Sequence, residues 1–174
     1  MVDPFSALQS LAEIGIAITG FAGLVAAIGH RRDEPLSLLE RSNLRALLLW
    51  SLGATFLAYV PVVLAIHTSD EPWRASLAVF VAFHSFVYYE VFRGRRDARR
   101  RPEGDVALTT FSRFLIVFGF VVLGFEVAAA AGAFASSAAT VYVVAILWFL
   151  FLAVTRFATL VAGHLRVDGE EEAG

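Results

Sequence analysis

The sequence predicts an all-α integral membrane protein, a five-helix transmembrane bundle with short loops, on three observations. Of its 174 residues, 58% are hydrophobic, well above the roughly 45–50% typical of soluble domains. The mean hydropathy is +0.70, and one water-soluble core in a chain this short does not absorb that much apolar surface. The charges gather in short runs between long stretches that are nearly free of them, which is how a chain reads when lipid is its solvent.

A helical span needs about 20 mostly apolar residues. Five stretches qualify, at 8–28, 44–66, 73–92, 106–132 and 138–163. The leader MVDPFSALQS carries no positive charge, so it lacks the basic n-region of a cleaved signal and the first stretch is expected to remain as a span. In the second stretch Ser51, Thr55 and Tyr59 recur every fourth residue as one polar stripe, and Pro61 is expected to kink the helix beyond it. Residues 67–72 and 133–137 leave room only for tight turns, so the helices they join run antiparallel. A single transmembrane domain is expected over 1–167, followed by an acidic flexible tail at 168–174, where the chain closes on DGEEEAG.

Orientation follows from arginine placement. Arg31, Arg32 and Arg41 follow the first span, and Arg93, Arg95, Arg96, Arg99, Arg100 and Arg101 follow the third. The second and fourth connections carry no arginine. Both basic linkers are therefore expected in the cytoplasm, with the N-terminus outside and the C-terminus inside. The six-arginine cluster is expected to contact anionic lipid headgroups. Nucleic acid is not expected as a partner, because the linker is short and interrupted by Asp97, Glu103 and Asp105.

Absences bound the chemistry. There is no cysteine, which removes disulfides, thiolate metal sites and a cysteine nucleophile. All 14 basic residues are arginine, and without lysine no Schiff base forms. The all-arginine habit points to a GC-rich coding sequence, hence a prokaryotic inner membrane. No HExxH, GxSxG or phosphate-binding glycine loop occurs, so neither an enzyme nor a bound cofactor or metal is expected.

Ionisable groups inside the spans carry the functional expectations, since each costs about 2.5–3.5 kcal/mol on insertion scales. Glu13 and Glu126 form an outer layer, and neither has a basic residue nearby in its own helix. They suit a shared proton, a bound cation, a wet vestibule, or hydrogen bonds made as neutral acids to a neighbouring helix. Glu90, Arg113 and Arg156 form an inner layer expected as a buried charge cluster, with lipid snorkelling open to Arg156. His84 lies mid-span, with Tyr88 one turn on, and is placed either to relay protons towards Glu90 or to hydrogen-bond another helix.

Small residues recur every fourth position at Gly15, Thr19, Gly23 and Ala27, and again at Gly124, Ala128 and Gly132. Such ridges let membrane helices approach closely. On the first helix the face of Glu13, Ala17, Gly20 and Leu24 points away from Gly15, which suits a pore-lining helix in a homo-oligomer or the filling of a monomeric bundle. Glu13, Glu126, His84 and Glu90 are thus the ion or proton pathway candidates. The expected function is a small oligomeric channel or transporter for cations or protons, with acids at the outer mouth. A non-catalytic scaffold, or a binder of lipid, quinone or haem, stands as the alternative.

Overall fold

The computed structural model describes residues 3–29, 38–67, 72–98 and 110–171. Among them the fold is all-helical: α1 Pro4–Gly29, α2 Leu38–His67, α3 Pro72–Ala98, α4 Thr110–Ala130 and α5 Ala138–Glu171, with a 3-10 turn at Ala135–Ser137 before α5. Five helical stretches are long and apolar enough to cross a membrane: Pro4–Val25, Arg41–His67, Pro72–Arg93, Arg113–Ala130 and Ala135–Val161, the last taking in the 3-10 turn before α5. Residues 106–109, expected at the start of the fourth span, lie outside the described residues. α5 runs on past residue 167, where the tail is expected to begin, and stays helical to Glu171. α2 continues through Pro61 to His67.

Local chemistry sets the ends. Asp3 caps α1: its carboxylate accepts from the backbone N–H of Phe5 at 3.3 Å and of Ser6 at 3.2 Å. Pro4 takes the first helical position, where no N–H is needed. α4 closes on Gly132 at φ 97°. Gly132 N–H bonds the Ala129 carbonyl at 3.0 Å and Ala133 N–H bonds the Ala128 carbonyl at 2.9 Å, the paired closure of a helix ending in a left-handed residue. The ridge position expected at Gly132 is in fact this terminating residue, and the Arg74 side chain lies over it, 3.2 Å from where a Cβ would stand.

The chain divides into two compact units, one of residues Met1–Val60 with Ile146–Gly174 and one of Pro61–Ala145. In the first, α1 packs on α2 through small and hydroxylated residues. A Cβ added to Gly15 would strike Thr55 Oγ1 and come within 3.1 Å of the Ser51 carbonyl and 3.4 Å of Leu150 Cδ2. Thr19 Oγ1 donates to Ser51 Oγ at 2.8 Å, and Ser51 Oγ donates in turn to the Leu47 carbonyl at 2.9 Å. Ser51 and Thr55 of the polar stripe are buried, whereas Tyr59 is exposed. The α1 ridge is used only in part, because a Cβ at Gly23 would meet nothing within 4 Å.

In the second unit α3 packs on α4. The buried positions are Ser76, Leu77, Phe80, His84 and Val87 on α3, and Leu115, Gly119, Val122, Glu126 and Ala129 on α4. From Leu77 on α3 and from Leu115 on α4 these positions advance by three and four residues, one face of each helix. Each face carries one ionisable side chain.

Candidate functional site: a buried histidine–glutamate pair

Those two ionisable side chains meet. His84 Nδ1 stands 3.0 Å from Glu126 Oε1 and 2.9 Å from Oε2, with the side chains 2% and 0% exposed. The imidazole therefore points one ring nitrogen between both carboxyl oxygens. If Glu126 is ionised, Nδ1–H donates to it; if Glu126 holds the proton, its O–H donates to a bare Nδ1. In either position of the shared proton the hydrogen bond persists, and the choice between ion pair and neutral pair is one short transfer along it. Gain of a further proton leaves a net positive pair, and loss of the shared one leaves a carboxylate beside a neutral ring. With the shared proton gone, the hydrogen bond survives only where the ring carries its remaining proton on Nδ1 rather than Nε2.

Aromatic rings hold the imidazole in place. Phe80, His84, Tyr88 and Phe92 stand one turn apart along α3. The Tyr88 ring stacks on His84 with centroids 5.1 Å apart and planes 15° from parallel, and Phe80 meets it edge-on at 6.2 Å. Tyr88 is fixed in turn by α4: it stacks on Phe120 at 4.5 Å and 5° and donates its hydroxyl to the Ile116 carbonyl at 3.3 Å. Tyr142, fully buried, packs edge-on against Phe80 at 5.4 Å and Trp73 at 6.2 Å. Packing of this kind fixes which way the ring nitrogens face.

Of the expected pathway residues, the described contacts join two. His84 and Glu126 are brought together, and His84 turns its Nδ1 to Glu126 rather than to Glu90 on its own helix. Glu90 forms an ion pair with Arg93, the next turn of α3, at 3.8 Å. Glu13 is exposed on α1 and accepts from Gln9 Nε2 at 3.4 Å; it belongs to the first unit and Glu126 to the second. Of the inner charges, Arg113 is exposed. Arg156 donates from Nη1 to Asn43 Oδ1 at 3.3 Å and sets its guanidinium 5.4 Å from the centre of the Trp50 ring, so within its own unit it has an amide and an aromatic face as partners. In the arginine cluster, Arg93 and Arg96 are exposed on the last turns of α3 and Arg95 shares that helix. Arg99, Arg100 and Arg101 lie outside the described residues. Among the described residues no three histidine or acidic side chains gather as a metal site.

No family model, curated protein or solved structure matches the chain.

Proposed function

We propose that the chain is a multi-pass membrane protein that carries protons, with His84 and Glu126 as the groups that take them up and release them. One observation carries this reading: an imidazole and a carboxyl, almost wholly buried, hydrogen-bonded to each other on two helices long and apolar enough to cross a bilayer. Inside a membrane an ionisable pair is costly, and a hydrogen bond that served only to join helices could be made by serine, asparagine or glutamine. Two titratable groups sharing a proton add a capacity that those residues lack.

The arginine-bearing linkers supply the orientation in this reading. They lie in the cytoplasm, with the N-terminus outside and the C-terminus inside, in a prokaryotic inner membrane. Arg93, Arg95 and Arg96, with Arg99, Arg100 and Arg101, then meet anionic headgroups.

The test is proton flux into liposomes holding the purified protein and a trapped pH-sensitive dye, after a pH step. Glu126→Gln and His84→Asn should each lower the flux about tenfold or more, since each removes one proton acceptor of the pair. A second reading is favoured by the same hydrogen bond: it ties α3 to α4, as a scaffold would need. Under that reading the substitutions lower thermal stability, and the wild-type protein conducts no more protons than empty liposomes.

A further inference from the structure

Glu13 lies near the middle of the apolar stretch Pro4–Val25, about 14 Å along the axis from Pro4 at the helical rise of about 1.5 Å per residue. It is exposed, as are Gln9 one turn before it and Ala17 and Gly20 beyond it. A Cβ at Gly20 would meet nothing within 4 Å. The opposite face of α1 is closed against α2 through Gly15 and Thr19.

Hydrocarbon is a poor occupant for this surface. Lipid tails offer no hydrogen bond to a carboxyl at mid-bilayer depth, and the 3.4 Å contact from Gln9 is a long one. A surface that satisfies Glu13 must bring donors within about one helical turn of its depth, on the N-terminal side to which its side chain leans, and this helix already displays such a donor. Gln9 supplies two N–H groups and Glu13 two acceptor oxygens, one turn apart on one face. That pairing is its own complement.

We propose that this face seats a second copy of the chain, inserted in the same direction. The two α1 helices then lie parallel about a two-fold axis, and each Glu13 carboxyl accepts from the partner subunit's Gln9. Ala17 and Gly20 allow the backbones to close over the polar pair. A two-fold interface uses one patch twice, and identical arginine placement inserts both copies the same way. The inference rests on membrane insertion but not on proton transport, and it uses none of the residues of the buried pair.

The absence of cysteine makes the test direct. Ala17→Cys and Gly20→Cys, each introduced alone, are oxidised in native membranes, with Val117→Cys on exposed α4 as the control for random collision. A disulfide needs Cα atoms within about 7 Å. The two α1 variants should give a covalent dimer of twice the 18.9 kDa chain about tenfold faster than the control. Adding Gly20→Ile to Ala17→Cys should slow that cross-link about tenfold, through lost close approach of the backbones. Glu13→Gln, which keeps the hydrogen-bonding capacity, should retain it. Cross-linking at Ala17→Cys and Gly20→Cys no faster than at Val117→Cys would overturn the proposal. So would a Gly20→Ile variant that cross-links as well as its parent, since the close approach would then lie elsewhere.

Discussion

His84 on α3 and Glu126 on α4 meet across 42 positions of sequence, with Nδ1 2.9 Å from Oε2 and 3.0 Å from Oε1. The two residues stand on different helices, so this contact forms only when α3 and α4 pack. It is a buried polar tie across that seam.

If the two groups act as a unit, their substitutions are not additive. His84→Leu and Glu126→Leu should each destabilise the protein by about 1–3 kcal/mol, because each strands a buried polar partner. The double variant should lose less than the sum, with a coupling of about 0.5–3 kcal/mol. Unfolding of all four proteins by titration with a denaturing detergent measures this, and strict additivity would show that the residues do not depend on each other.

Gly15 and Gly23 on α1 should separate sharply. Gly15→Ala places a methyl group against Thr55 Oγ1 and the Ser51 carbonyl, and overpacking of this kind costs about 1–3 kcal/mol. Gly23→Ala has open space and should be neutral or slightly stabilising through helix propensity. Melting temperatures of the two variants at one detergent composition check the order.

Gly132→Ala should cost about 1–2 kcal/mol through backbone conformation alone, because φ is 97° there and a side chain is strained in the left-handed region. The added methyl group also crowds the Arg74 guanidinium. Gly124→Ala is the control on the same helix, with nothing near its Cβ position. Equal melting temperatures for the two would contradict the role assigned to Gly132.

Much of the helical layout was legible in the residues, and the pairing was not. Long apolar stretches report their own length, so five helices follow from hydropathy. That Gly15 and Glu13 lie on different faces of α1 follows from angle alone; that Gly15 meets α2 and Glu13 is exposed came only with the structure. His84 was a different problem. Periodicity identified Tyr88 as its neighbour within α3, but the nearest acid in that helix, Glu90, pairs with Arg93 instead. The acid that His84 meets is on another helix, and only helix packing supplies that contact. A signal was present: the seam residues Phe80, His84 and Val87 and the seam residues Val122, Glu126 and Ala129 each place one ionisable group in an otherwise apolar or small row. Gly132 misled for the opposite reason, since a spacing of four from Ala128 mimics a packing ridge where the helix in fact ends.

The most direct measurement is the dye-reported proton flux of the wild-type protein and Glu126→Gln, reconstituted at equal density and shown by circular dichroism to be equally helical. The proposed function predicts flux above empty liposomes for the wild type and about a tenfold or greater loss in Glu126→Gln. Equal flux in the two, or none above empty liposomes in either, would contradict it and leave the His84–Glu126 bond as a structural tie between α3 and α4.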